Sequence, residues 1–194
     1  MTWIKDSGAE FAFAEVAGGG GGGLADSWLR ATGTAVGADP LPYRLEYELD
    51  CGEGYVTREL NVSASGDGWA RRLRLTRDAG GRWQMGTFSG DLVALGASFG
   101  GALDCDLGLS PLTNTMPVLR HGLLAGGGPR VFQMAWVSVP DLSVQLSGQS
   151  YEFIRRDPGT GHSVVRFSSD DFRADIVFDS SGFVVDYPGI GRRA

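Results

Sequence analysis

Two acidic side chains, Asp104 and Asp106, are the residues whose spacing best suits chemistry in this sequence. In an extended strand, alternate side chains share a face, so these carboxylates would lie about 7 Å apart. Two carboxylates at that distance can bind a divalent ion, hold an arginine, or act as general acid and base. The spacing alone leaves a catalytic pair and a structural brace as alternatives.

A polar loop, residues 108–117, follows the two carboxylates and leads to Arg120. Asp, Thr and Asn side chains readily satisfy the backbone groups of a loop, which favours a structural role for this segment. Arg120 can pair with Asp104 or with Asp106, and a bidentate pair would pin the loop to the sheet.

No other residues complete a recognised catalytic or metal-binding set. His121 and His162 are far apart, and no serine lies in a Gly-x-Ser-x-Gly elbow. Cys51 and Cys105 form no CxxC pair, so a structural zinc site is not expected. We therefore expect no metal and no cofactor, and the sequence favours a non-catalytic protein over an enzyme without deciding between them.

The elements that must position these residues are strands, because apolar and polar residues alternate with a period of two. In residues 43–50 every odd position is apolar and every even position is charged, and residues 70–76 and 172–179 are similar. Residues 131–139 are apolar on both faces, which predicts a strand between two layers or beside a ligand cavity, ended by Pro140.

Turn signals at short intervals separate these runs, and no convincing helix exceeds two turns, residues 25–31 being the best short candidate. We predict an all-β protein: a single large antiparallel meander curled into an open or closed barrel, with few or no long helices. Residues 1–194 are predicted to form one domain, in which the glycines at 18–23 form a flexible hairpin loop.

Composition excludes several classes of partner. Acidic residues number 23 against 17 basic ones, a net charge of −6, which argues against nucleic-acid binding and against docking on an anionic membrane. The first residues carry no secretory signal, and no apolar run is long enough to predict a transmembrane segment. A cytoplasmic location with reduced thiols is the expectation.

The loop region also carries a long motif. Asp104–Leu107 followed by Ser110–Pro117 resembles the signature of a family of bacterial proteins, the putative glycolipid-binding family. The similarity continues through Arg120 and resumes at residues 137–140, 149–151, 171–172 and 179–189 and at Arg193. It is close over residues 90–194 and looser in the N-terminal half, where Trp3, Gly8 and Glu10 fit.

The resemblance implies a large antiparallel barrel-like fold, similar to lipoprotein carriers that hold acyl chains in a half-open barrel. Three residues depart from the family pattern. Leu119 stands where an arginine is frequent, His121 where an apolar residue is usual, and Cys105 where a β-branched residue is usual. If the missing arginine grips a headgroup in relatives, that contact is weakened here.

The leading hypothesis is a protein that binds a lipid or glycolipid in a β-barrel cavity, with a few polar groups at the mouth. These ligand-binding candidates are Asp104, Asp106, Asn114, Arg120, Gln149, Tyr151 and Tyr187. One alternative is a hydrolase-type enzyme that uses Asp104 or Asp106 on a sugar or lipid headgroup. Another is a non-catalytic interaction protein whose core is filled by its own aromatic residues.

Overall fold

The structure is a computed structural model that describes residues 1–18, 24–87, 90–170 and 172–194, and nearly all of its regular elements are strands. The predicted glycine loop at 18–23 lies almost wholly outside the described residues. The strands are β1 (Thr2–Lys5), β2 (Gly8–Ala17), β3 (Trp28–Gly37), β4 (Tyr43–Cys51), β5 (Thr57–Gly66), β6 (Trp69–Arg77), β7 (Trp83–Gly86), β8 (Val93–Ala94), β9 (Asp104–Leu107), β10 (Arg130–Val137), β11 (Val144–Arg156), β12 (Ser163–Ser169), β13 (Phe172–Phe178), β14 (Val184–Tyr187) and β15 (Gly191–Arg193).

The helical elements are short. One α-helix, α1 (Thr115–Arg120), is accompanied in the described ranges by single 3₁₀ turns at Leu24–Asp26, Glu53–Tyr55, Ala97–Gly101 and Leu112–Asn114. None of the helices in the described part of the chain has the length and apolar character needed to cross a membrane. The best short helix candidate, residues 25–31, is not a helix: a 3₁₀ turn forms at Leu24–Asp26, and β3 begins at Trp28. Pairing of β3 with β2 and β4 overrides the weak local helix preference.

All the strands belong to one sheet in the order β8-β7-β6-β5-β4-β3-β2-β1-β15-β14-β13-β12-β11-β10-β9. The predicted large antiparallel meander is confirmed, and the sheet is open: β8 and β9 are its two end strands. The first and last strands meet in the middle, where Trp3 pairs with Arg193.

One pairing departs from the meander, because β9 runs parallel to β10. Parallel neighbours need a crossover connection, and the segment that contains α1 provides it. The crossover carries the chain over the sheet, so the polar loop after β9 lies against the inner face and not at a hairpin end.

The sheet curls until its β9 end reaches β5 and β7. The amide of Thr57 donates to the carbonyl of Leu103 (3.1 Å), and the Cys105 amide donates to Thr57 Oγ1 (3.0 Å). Trp83 Nε1 donates to the carbonyl of Ala102 (3.0 Å). Single hydrogen bonds, and not a full ladder, therefore hold the two ends of the curled sheet together.

Alternation sets the inner and outer faces as predicted for β4, where Tyr43, Leu45, Tyr47 and Leu49 are buried and the residues between them are mainly exposed. The strand β10 fits its prediction less well: Met134 and Ala135 are both buried, but Val131 is 76% exposed. Burial on both faces is confined to the end that lies beside β9, where Ala135 and Met134 belong to different apolar clusters.

The interior is filled by two apolar clusters. One contains Trp3, Trp83 and Tyr55 with the buried face of the N-terminal strands, and the other contains Tyr151 and Phe178 with the C-terminal strands. Helix α1 contributes Met116 to the first cluster and Val118 to the second. Both cysteines are free and buried.

Candidate functional site

The strand β9 places Asp104 and Asp106 at adjacent same-side positions, and each has a different partner. Arg120 binds Asp104 with both terminal nitrogens, Nη1 lying 2.7 Å from Oδ2. The remaining donors of the same guanidinium reach the carbonyls of Gly54 (2.6 Å) and Tyr55 (3.0 Å). The side chains of Arg120 and Asp104 are only 6% and 2% exposed.

This ion pair is a structural clamp between α1, β9 and the turn before β5. Its geometry matches the bidentate arrangement that makes arginine–carboxylate pairs strong and directional. Because Asp104 is occupied in this way, the structure does not leave the two carboxylates as a free acid–base pair. The chemistry available to a ligand is reduced to Asp106.

Asp106 is held by neutral donors. Thr113 Oγ1 donates to Oδ1 (2.9 Å) and Gln149 Nε2 donates to Oδ2 (2.6 Å). Burial raises the pKa of Asp106, against the opposing effect of these two hydrogen bonds, and the nearby charge of Asp104 raises it further. Asp106 therefore takes up a proton more readily than an ordinary aspartate.

The hydrogen-bond network continues to Asn114 through Tyr151. The Tyr151 hydroxyl donates to Asn114 Oδ1 (2.9 Å), with Gln149 Oε1 at 3.3 Å. Burial raises the pKa of Tyr151 well above its ordinary value, and Asp106 adds to the shift. The pKa of Tyr187 is raised for the same two reasons. Both phenols therefore stay protonated, and Tyr151 acts as a hydrogen-bond donor to Asn114.

A groove of about 700 Å³ opens beside this network, between the loop after β9 and the inner face of β10–β13. Four of the seven predicted residues line it: Asp106, Asn114, Gln149 and Tyr187. The other three, Asp104, Arg120 and Tyr151, lie behind this wall and hold it in place. The apolar part of the lining includes Trp136, Leu146, Phe167, Phe172 and Ile190. It is interspersed with the polar part, since Trp136 on β10 is the direct cross-strand neighbour of Asp106 on β9.

The groove lies at the surface and not inside a closed barrel, because the two apolar clusters fill the interior. Its charged lining residues are carboxylates, namely Asp39, Asp106 and Asp170, and no Lys, Arg or His of the described ranges lines it. Leu119, one of the three departures from the family pattern, packs against the main apolar cluster and does not line the groove.

A second polar cluster joins the two halves of the molecule behind the groove, and sequence reasoning missed it. Glu10 is buried, and its Oε1 accepts hydrogen bonds from Tyr47 Oη (2.8 Å) and Ser110 Oγ (2.6 Å). Lys5 Nζ lies 2.6 Å from its Oε2. Ser110 lines the groove, so the buried carboxylate anchors the loop to β1, β2 and β4.

The missed signal lies in β2, where alternation is misleading. Phe11 and Phe13 suggest the buried face, yet both are exposed while Glu10 and Ala12 point inward. Trp136 belongs to residues 131–139, for which the sequence predicts a strand between two layers or beside a ligand cavity, and it lines the groove. Phe172 also lines the groove, although alternation predicts only its strand. Among the described residues, no cluster of three or more His, Cys, Asp or Glu side chains could hold a metal ion.

Comparisons with known proteins agree with this architecture. The model of the family described as "Putative glycolipid-binding" matches residues 2–193. A crystal structure of a DUF1089 family protein from Pseudomonas aeruginosa, at 1.80 Å resolution, is similar with a TM-score of 0.68 and 28% sequence identity. The similarity covers 94% of this chain and 92% of that chain. No curated protein matches the sequence.

Proposed function

Because the chain belongs to the family described as "Putative glycolipid-binding", we propose that its surface groove binds a lipid or glycolipid. The observation that carries the proposal is one groove whose lining combines exposed apolar side chains with the Asp106–Gln149–Asn114 network. An amphiphile has the same combination of apolar and polar surface.

The size of the groove supports this function. Ligand sites usually measure about 300–1,000 Å³, are mostly apolar, and fix orientation with a few polar groups. The acyl chain lies along Trp136, Phe167 and Phe172, and the headgroup reaches Asp106 and Gln149. Side-chain oxygens and amides at that end can accept and donate hydrogen bonds to hydroxyl groups.

The polar end is rigid before a ligand arrives. Asp106, Gln149 and Asn114 are already oriented by Thr113 and Tyr151, so little side-chain freedom is lost on binding. Residues 1–194 act in this proposal as one binding domain in the cytoplasm, where the free thiols of Cys51 and Cys105 stay reduced.

The test measures binding of dodecyl maltoside to the full chain by titration calorimetry and native mass spectrometry. The detergent is kept below its critical micelle concentration. Phe172→Ala removes an apolar lining residue of the groove that is 41% exposed and is expected to weaken binding by about tenfold. Gln149→Ala is expected to weaken it as well, because Asp106 loses its orienting donor.

The matched control is Val131→Ala, an exposed apolar residue of the same sheet that lies outside the groove. It is expected to bind like the wild type. Absence of binding by the wild-type chain, or equal binding by Phe172→Ala and the wild type, would count against the groove as the lipid site.

A further inference from the structure

The outer face of strands β2–β6 carries a second hollow, on the opposite side of the sheet from the apolar core. Two adjoining cavities of about 750 and 810 Å³ share lining residues, so they form one trough. The shared residues are Phe13, Thr32, Glu48, Glu59 and Asn61. We refer to this hollow as the outer trough.

Two phenylalanines make this face unusual. Phe13 is 69% exposed and Phe11 is 44% exposed, and their rings meet edge to face with centroids 4.8 Å apart. On the same strand Glu10 is buried, although burying a carboxylate is costly. The two phenylalanines are therefore on the outer face of the sheet. Paired aromatic rings exposed beside a hollow are typical of a binding surface.

The residues directly opposed across the strands repeat the same chemistry in two parallel rows. The first row runs from β2 to β6 through Phe11, Thr34, Glu46, Ser63 and Arg72. The second row runs through Phe13, Thr32, Glu48, Asn61 and Arg74. Each row presents an aromatic ring, a hydroxyl, a carboxylate, a hydroxyl or amide, and a guanidinium.

The charges in these rows nearly cancel. Each row holds one carboxylate and one guanidinium. Beside the rows, Glu59 lies 3.1 Å from Arg74 and Arg44 lies 2.6 Å from Glu46, so neither sign dominates the rows. Within the described part of the chain, Glu48 forms no hydrogen bond or ion pair, and its carboxylate lies in the middle of the trough. A balanced surface does not favour a polyanion or a polycation, whereas its many donors and acceptors suit a neutral, hydroxyl-rich ligand.

From these observations we propose that the outer trough binds a neutral oligosaccharide. The sugar rings stack on Phe11 and Phe13, and their hydroxyl groups bond to Glu48, Asn61 and the threonines. Along each row, the groups of neighbouring strands follow one another about every 4.8 Å, close to the length of one sugar ring. The two rows lie two residues apart along the strands, about 6.8 Å, so the surface offers the same set of groups twice. This site is separate from the lipid groove and goes beyond the function proposed for it.

The experiment titrates the full chain with a panel of neutral oligosaccharides, α- and β-linked hexose and N-acetylhexosamine oligomers without lipid tails, observed by saturation-transfer NMR and calorimetry. The wild type is expected to bind at least one member. Phe13→Ala and Glu48→Ala are each expected to weaken that binding by about fivefold or more. Both side chains face solvent, so the unfolding midpoint is expected to stay unchanged, which separates lost binding from lost folding.

Val131→Ala is the control, since it removes an exposed apolar group outside both sites and should bind the oligosaccharide normally. The proposal is overturned if no panel member binds, or if Phe13→Ala binds as well as the wild type. It is also overturned if sedimentation shows a dimer that Phe13→Ala dissociates, because the trough would then be an interface between copies. In Phe13→Ala, loss of oligosaccharide binding with dodecyl maltoside binding intact would support a site separate from the lipid groove.

Discussion

At the scale of single residues, the two carboxylates of β9 have different roles although they are two positions apart. Asp104 is neutralised by Arg120 and braces the fold, whereas Asp106 is held by Thr113 and Gln149 and faces the groove. A buried carboxylate with a cation beside it is compensated for its lost hydration, but one with neutral donors is compensated only in part. The pKa of Asp106 is therefore raised.

This raised pKa predicts how stability depends on pH. The folded state holds the Asp106 proton more tightly than the unfolded chain does. The contribution of Asp106 to the free energy of unfolding is therefore fully present below the unfolded pKa of about 3.9. The contribution is lost as the pH rises from there through the folded pKa. In urea unfolding across a pH series, the free energy of unfolding of Asp106→Asn should rise relative to that of the wild type over this pH range. At higher pH the difference should stay constant.

Asp157→Asn is the matched control with the opposite sign. Backbone amides of Thr160 and Gly159 lower the pKa of Asp157. Asp157 therefore stabilises the fold above the unfolded pKa. As the pH rises, the free energy of unfolding of Asp157→Asn should fall relative to that of the wild type. Parallel pH profiles for the wild type and Asp106→Asn would contradict the assignment.

At the scale of elements, close packing between neighbouring strands decides which residues fit. Tyr43 and Tyr47 of β4 lie across Gly37 and Gly33 of β3 on the buried face. A Cβ built on Gly33 would lie 2.3 Å from Tyr47 Cζ. The Tyr47 ring is fixed by its hydroxyl bond to buried Glu10 and cannot move aside easily.

Gly33→Ala is therefore expected to lower the free energy of unfolding by about 1–3 kcal/mol, the usual cost of overpacking a core. Urea unfolding measures this loss. Gly100→Ala is the comparison, because a Cβ there meets nothing within 4 Å. If the two variants were equally stable, the contact between Tyr47 and Gly33 would not be as close as described.

At the scale of the whole molecule, the two ends of the chain meet in the middle of the sheet and join its two halves. The strand β1 pairs with both β2 and β15. Trp3 on β1 is fully buried, and its Nε1 donates to the carbonyl of Val184 on β14 (2.9 Å). The N-terminal strand thus connects the face that carries the outer trough to the half that carries the lipid groove.

Trp3→Ala should consequently destabilise the molecule by about 3–5 kcal/mol, as expected for a large buried aromatic side chain. Hydrogen exchange should speed up in β14 and β15 as well as in β2, because the seam, the pairing of β1 with β2 and β15, joins both halves. Ile4→Ala, next along the strand and 56% exposed, should change little. A loss confined to the N-terminal strands would show that the seam does not couple the halves.

The sequence by itself determined the all-β class, the open or closed meander, and the segment that holds the candidate site. Period-two alternation fixes the two faces of a strand locally, as in residues 43–50, and the Asp104–Pro117 motif needs only the linear order of residues. Which face is buried, however, depends on the neighbouring strands, and alternation in β2 did not reveal that Glu10 is inside and Phe13 outside.

Only the tertiary structure decided that Arg120 takes Asp104, that β9 runs parallel to β10, and that the groove lies at the surface. These outcomes depend on contacts between residues far apart in the chain, such as Glu10 with Ser110 and Asp106 with Gln149. The physical reason is that burial, charge neutralisation and hydrogen bonding act through space. Local sequence patterns record only the preferences of neighbouring residues.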